Sequence, residues 1–365
     1  MIPAEPSIDT MFEELADPAP LPPPTDDNAA LPADGAARHE MQARAIVASL
    51  ARAGLLRPPP ARLTTVEFGA ADGMLSALLL EQLGQHGQGA DQTRQILVDR
   101  DATPGAHPDG AGPDPAAPAG RVERVRADIG ALDLPALLAG GEPSSCRGVV
   151  GVAKHLCGEA TDHALRCLVA AGQRDASASL GVAILSCCHH SCAWQSYAHQ
   201  EFFAGRGVDE AAFERLCATA GEAAAVYSAI TAAATTAALE AASAVGLAAE
   251  TQRVALVAER AAACVVGELI RAATGLPPAQ AHASREEGGL GVVAEIAVGA
   301  ARAAGAPHAE RLRLALRAKR LLDEGRRQFL LANGWAHAEL SQAVAPEVSP
   351  EGTLLLGSRG PARTG

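Results

Sequence analysis

The chain has 365 residues, enough for two domains, but its 24 Pro, 36 Gly and abundant Ala lie mostly outside the segments that carry chemistry, so part of it need not build a compact core. The formal charge of −12 argues against a nucleic-acid enzyme at first sight. Residues 1–34, however, hold eight acids and no Lys or Arg, which leaves −4 for the rest and makes local patches more informative than the total.

That acidic, Pro-rich opening segment, 1–34, reads as a disordered tail, with too little apolar surface to offset the entropy of ordering. No basic residue precedes Arg38 and no apolar core opens the chain, which argues against a secretory signal or a transit peptide. Eight cysteines in a chain of this length, two of them adjacent, fit reduced thiols of a cytoplasmic or nuclear protein.

Residues 36–56 carry apolar side chains at helical spacing and end at Gly54 and the Pro58-Pro59-Pro60 breaker. Thr64 to Phe68 is the first strand. The following Gly69-Ala70-Ala71-Asp72-Gly73 turns into a helix starting near Leu75, and such a turn leaves backbone amides facing a nucleotide-like ligand. The match to a dinucleotide fingerprint is partial. A second strand, Ile96-Leu97-Val98, ends in Asp99, where an acid grips ribose hydroxyls. A third, 121–126, ends in Asp128 and Ile129, an acid and apolar pair suited to the edge and face of an adenine. Residues 101–120 are a Gly/Pro loop without chemistry.

Two copies of one arrangement follow, each an apolar strand ending abruptly in reactive side chains. Residues 148–153 lead into Lys154-His155-Leu156-Cys157, and 181–186 lead into Cys187-Cys188-His189-His190-Ser191-Cys192, with a helix over 161–171 between them. Strands separated by a helix imply a parallel α/β sheet, whose ligands bind beyond the carboxyl ends of the strands. The two clusters are therefore expected in one crevice. Lys154 is one of only two lysines among 30 basic residues. A compact ammonium there could hold an anion, or act as base once desolvation lowers its pKa. His155, His189 and His190 are candidate proton acceptors near neutral pH.

A structural zinc on Cys157, Cys188, Cys192 and a histidine is possible but not favoured, because paired C-x-x-C spacing is missing and neighbouring side chains on a strand face opposite ways. Trp194, Tyr197, Phe202 and Phe203 read as a small satellite core, with base stacking as the alternative. Residues 218–309 form an Ala-rich, low-complexity insertion, partly helical and poorly packed, whose longest uncharged run, 223–239, is shorter than a membrane span. Helical periodicity returns over 311–331 with seven basic and two acidic residues, a solvated face or a phosphate contact. Two closing strands, 335–344 and 353–356, complete a core spanning 35–217 and 310–357.

The segments EFGAADGMLS (67–76), LVDR (97–100), ADI (127–129), GVAKHLCGEATDHALRCL (151–168), AILSCCHHSCAW (183–194) and KRLLDEGRRQFLLANGW (319–335) resemble, in order, the blocks of the eukaryotic tRNA 2′-O-methyltransferases that modify the fourth nucleotide of the acceptor stem. The resemblance implies a Rossmann-like class I methyltransferase sheet using S-adenosylmethionine, with tRNA as partner and neither membrane nor DNA. It places Glu67, Gly69, Ala70 and Gly73 at the methionine end of the cofactor, Asp99 at its ribose, and Asp128 with Ile129 at its adenine. Lys154 is the first choice for activating the ribose hydroxyl and His189 the second, with His155 in the same block.

Three departures stand out. Ala71 occupies a position where family members usually carry glycine, and alanine fits there on condition that the backbone is not left-handed. Ser191 and Ala193 replace an arginine and an aspartate. A serine-rich block with tryptophan that usually follows has no counterpart around Ala218–Glu222; in addition, no Cys precedes Cys146 to match the family's amino-terminal zinc-finger cysteines. A related methyltransferase with another substrate, or an inactive RNA- or cofactor-binding relative, are the alternatives.

Overall fold

The structure is a computed structural model that describes residues 21–22, 35–56, 63–85, 93–101, 122–139, 148–278 and 290–360. Nearly all of the acidic tail and of the Gly/Pro loop lies outside these residues. In chain order the helices of a turn or more are α1 (Gly35–Arg52), α2 (Met74–Gln85), α3 (Leu134–Ala139), α4 (Glu159–Arg174), α5 (Gln200–Ala204), α6 (Glu210–Ala244), α7 (Thr251–Thr274), α8 (Leu290–Gly305) and α9 (Ala309–Ala332). The strands are β1 (Leu63–Phe68), β2 (Thr93–Asp99), β3 (Val122–Arg126), β4 (Gly148–Cys157), β5 (Ser179–Cys187), β6 (His337–Gln342) and β7 (Thr353–Arg359).

The chain divides into two compact units. One holds residues 42–207, 323–343 and 353–365 and contains the sheet, in the order β3-β2-β1-β4-β5-β7-β6. Strands β1 to β5 are parallel, and β7 runs antiparallel to both β5 and β6. Strand order reverses between β1 and β4, the place where open α/β sheets bind ligands. Side chains alternate across the central strands, as a period of two requires. Val182 and Ile184 join Leu165 and Leu168 of α4 and Leu330 of α9 on one face. Ala183 and Leu185 join Ile46 and Leu50 of α1 and Leu75 and Leu79 of α2 on the other. Each fully buried Val, Leu or Ile among them contributes about 1.5–3 kcal/mol.

Several strands run further than the sequence suggested, β4 most relevantly for the site. β4 continues past residue 153 to Cys157, with a register shift against β5 between Lys154 and Leu156. The bulge is taken up by His155, at φ 58°.

The other unit comprises residues 1–41, 208–322 and 344–352, and its described residues are mainly helical. The chain expected to be partly helical and poorly packed forms three long helices around one buried core. On α6 that core takes Ala223, Val226, Ile230, Ala234, Ala238 and Ala241, and α7 and α8 add Val254, Ala258, Ala261, Val265, Val293 and Ala297. The stripe has helical period, but it is written largely in alanine. Asp209 starts α6, its Oδ1 accepting from the amide of Ala212 at 2.8 Å. By length and composition alone, Glu210–Ala244 and the stretch Leu290–Ala332 are apolar enough to cross a membrane, with hydropathies of 1.2 and 1.3. Core helices of soluble proteins meet the same criterion, and both stretches place residues in this helical core.

Candidate functional site

The glycine turn after β1 is built by its neighbours. The amides of Gly69 and Ala70 donate to Val98 O of β2 at 2.9 and 3.1 Å, and the amide of Ala71 donates to Asp99 Oδ2 at 2.8 Å. Arg124 of β3 donates to the carbonyls of Ala71 and Asp72 at 2.9 and 3.0 Å. Asp99 thus holds the turn as well as facing the ligand side.

Ala71 has φ 42°, so the condition for a comfortable alanine is not met. A methyl group in left-handed backbone costs roughly 1–2 kcal/mol. Ala71→Gly is therefore expected to raise the thermal midpoint by a gain of about 1 kcal/mol. An unchanged or lower midpoint would mean that the turn is not left-handed in solution.

Glu67 lies behind the turn, buried. Its Oε2 accepts from the amide and hydroxyl of Ser76 at 2.9 and 2.5 Å, near the start of α2. Burial pushes its carboxyl up to about 7, against the opposing pull of the Ser76 hydrogen bonds. A raised carboxyl favours the folded state below the unfolded value of 4.5 and loses that contribution as pH rises through about 7. Glu67→Gln keeps an acceptor for Ser76 without the charge. It is expected to be more stable than the parent at pH 8, by at most about 3 kcal/mol, and no more stable at pH 5. Melting curves at the two pH values test this, and equal differences at both would refute it.

Beyond the carboxyl ends of the strands lies a crevice of about 370 Å³, bordered by Gly69, Asp99, Asp128, Ile129, Cys157 and His163. Asp128 also caps the short turn at Ile129–Ala131, its Oδ1 accepting from the amide of Gly130 at 2.8 Å. Of the residues assigned to the cofactor, Gly69, Asp99, Asp128 and Ile129 line this space. Glu67, Ala70 and Gly73 are not among its lining residues. Glu159 and His163, in the first turns of α4, were missed as lining residues; both lie within the GEATDH stretch, four positions apart and so on one helix face.

The two reactive clusters do meet, through their sulfurs. Cys157 and Cys187 are paired residues at the ends of β4 and β5, with Sγ atoms 3.5 Å apart, and Cys188 Sγ lies 3.4 Å from Cys157 Sγ. β5 ends at Cys187 and Cys188 turns left-handed, at φ 48°, so the adjacent cysteines escape the alternation of a strand. Gly158 follows Cys157 at φ 47°, where a Cβ would lie 2.5 Å from the carbonyl oxygen of Ser191. Only glycine fits that approach. Cys192 is elsewhere, accepting from Arg326 Nη2 at 3.2 Å.

The three proposed catalytic side chains have different partners, and none of them is among the residues that border the crevice. Lys154 is half-buried near the end of β4; burial lowers its pKa, and the charges of Asp72 and Glu67 partly oppose that shift. His155 Nε2 is bonded to Gln42 of α1 at 2.8 Å. His189 is 2 % exposed, with Nε2 2.9 Å from Asp323 Oδ1.

Asp323 belongs to a buried ion cage. Arg326 of α9 donates to Asp162 Oδ2 at 2.7 Å, to Gly158 O at 2.8 Å and to Asp323 Oδ1 at 3.2 Å, while Asp162 Oδ1 accepts from the amide of Ala198 at 3.0 Å. The cage fastens α4, α9 and the loop after β5 beneath the thiols. Five of the seven basic residues of the 311–331 segment, Arg311, Arg313, Lys319, Arg326 and Arg327, each pair with a carboxylate of this chain. Tyr197, Phe202 and Phe203 are buried, with ring centroids 5.0–5.4 Å apart, a satellite core.

Residues 41–358 match the family described as methyltransferase TRM13. The chain is 37% identical over 186 residues to the tRNA:m(4)X modification enzyme TRM13 of Eremothecium gossypii, covering 45% of this chain and 40% of that protein. It is 30% identical over 226 residues to the mouse homologue, covering 49% of this chain and 42% of that protein, and 30% identical over 224 residues to the human one, with the same coverage. The chain thus spans less than half the length of these curated relatives. No solved structure matches. A family match running from α1 to β7, over the sheet, the glycine turn and both cysteine clusters, means that this chain belongs to the TRM13 methyltransferase family.

Proposed function

We propose that the chain is an S-adenosylmethionine-dependent tRNA methyltransferase that methylates the 2′-hydroxyl of the ribose at position 4 of the acceptor stem. The observation that supports it most is the crevice at the reversal of strand order, where Gly69, Asp99, Asp128 and Ile129 come from three successive strand ends. The donor set suits a nucleoside. Carboxylates accept from ribose hydroxyls and from an exocyclic amine, and an isoleucine offers a face to a purine. In this reading the sheet is a Rossmann-like class I methyltransferase core, with 35–217 and 310–357 as the catalytic part and 218–309 as an insertion.

The cofactor supplies a methyl group on a sulfonium, ready for attack by oxygen. The protein's task is to bring the ribose hydroxyl into line and to take or screen its proton. Lys154, with its pKa lowered by burial, is the residue we assign to that hydroxyl. His189, enclosed with Asp323, holds the loop after β5, and His155 holds the β4 bulge on α1; both are positioning residues. The chain acts as a soluble cytoplasmic or nuclear protein on tRNA, without membrane or DNA.

Incubation of the purified chain with methyl-labelled cofactor and total tRNA, followed by nuclease mapping, is expected to place label on a 2′-oxygen of the acceptor stem. Label elsewhere supports a related methyltransferase with another substrate. The strained Ala71 favours a second reading, a binding protein without turnover. Tight binding of S-adenosylhomocysteine with no transfer to any tRNA would select that one.

A further inference from the structure

Cys157, at the end of β4, and Cys187 and Cys188, at and just after the end of β5, converge on one point. Their sulfurs all lie within 4.8 Å of one another, with two contacts of 3.4 and 3.5 Å. Two thiolates on one zinc ion, each about 2.3 Å from the metal, stand roughly 3.8–4.0 Å apart, so small rotations about Cβ would accommodate an ion. A disulfide would draw two sulfurs to about 2.05 Å and leave the third unused. The backbone is shaped for the convergence at both strand ends, with His155 at φ 58° ahead of Cys157 and Cys188 itself at φ 48°. The remaining cysteine of this loop, Cys192, is held by Arg326, and His155 and His189 by Gln42 and Asp323. Cys187 is buried, Cys188 half-buried and Cys157 exposed on the wall of the crevice.

We propose that Cys157, Cys187 and Cys188 form a three-thiolate site for a thiophilic metal ion, zinc(II) in the first place, with its fourth position open toward the crevice. Three protein ligands and an open position are the pattern of a zinc site that takes water or substrate. Binding releases the thiol protons, and an oxygen ligand entering the fourth position, water or a ribose hydroxyl, becomes more acidic there. The metal site stands independently of the methyl-transfer reading, because its test does not use tRNA.

The full chain, purified under reducing conditions without chelator, is analysed for metal by plasma mass spectrometry. The metal-free protein is then titrated with cobalt(II) and zinc(II). The expected result is stoichiometric zinc, or cobalt binding with an intense sulfur-to-cobalt charge-transfer band. Either is at least about tenfold weaker in Cys157→Ser, Cys188→Ser and Cys187→Ser and is retained in Cys192→Ser. Cys157→Ser alters an exposed side chain, so circular dichroism and melting should show its fold intact even if Cys187→Ser fails to fold. Three results would overturn the proposal: reduced protein that binds neither metal, full metal binding in the Cys157→Ser/Cys188→Ser double variant, or loss in Cys192→Ser alone.

Discussion

Lys154→Met is expected to lower the single-turnover rate of methyl transfer by about 10²–10⁴, the usual contribution of a positioned proton acceptor, while leaving cofactor binding unchanged. The side chain is half-buried near the end of β4, and desolvation disfavours its charged form. With the pKa below that of a free lysine, the neutral fraction grows with pH, so the rate should climb in alkaline solution and level off below pH 10.5, the value of an unperturbed lysine. Lys154→Arg should not restore the rate, because a guanidinium stays charged throughout. A Lys154→Met rate within twofold of the parent, or an unchanged pH profile in that variant, would remove Lys154 from the chemistry.

Arg326→Met is expected to be the most damaging single substitution for folding. The guanidinium is fully buried and joins Asp162, Asp323 and the carbonyl of Gly158. Removing one partner of a buried pair leaves uncompensated charge and costs roughly 3–5 kcal/mol, a large part of the about 5–15 kcal/mol that stabilises a typical domain. Burial by itself would raise the Asp323 carboxyl, but His189 and Arg326 outweigh it and hold it below the free value of 3.8. A depressed carboxyl contributes stability above that value and loses it as pH falls through the folded pKa. The parent should therefore lose stability in acid more steeply than Asp323→Asn. Arg326→Lys should rescue little, since one ammonium cannot reproduce the several directed donors of arginine. A soluble Arg326→Met protein melting within a few degrees of the parent would show that the cage is dispensable.

The central strands β4 and β5 were legible because their residues repeat a simple signal, short apolar β-branched runs opened by or containing glycine and buried on both faces; β3, Val122–Arg126, is half-exposed and gives a weaker one. Of the closing antiparallel pair, β7 is a short apolar run that pairs with β5, whereas β6 is polar and half-exposed at the sheet edge. Less could be read where backbone handedness decides direction. His155, Cys188 and Ala71 are L-residues at positive φ, and each reverses what strand alternation or turn rules would assign to its neighbours. Two adjacent cysteines that should diverge converge, and two histidines that look catalytic beside Lys154 are tied to Gln42 and Asp323, more than a hundred positions away in sequence. The helical unit was obscured for a different reason. Alanine serves as both core and surface on α6, so the stripe Ala223, Val226, Ile230, Ala234, Ala238 has little contrast with the opposite face. The Asp162–Arg326 pair shows what the motif residues between the clusters do structurally: the aspartate of GEATDH locks α4 to α9.

Calorimetric titration of the full chain with S-adenosylhomocysteine, alongside Asp128→Asn, which keeps a capping acceptor for the Gly130 amide, bears most directly on whether the crevice receives the methyl donor. The expected result is saturable binding to the parent, weakened about tenfold or more in the variant, as loss of a charged hydrogen-bond acceptor would produce. No binding to the folded parent, or equal affinity in both proteins, would contradict the assignment of this crevice to the nucleoside.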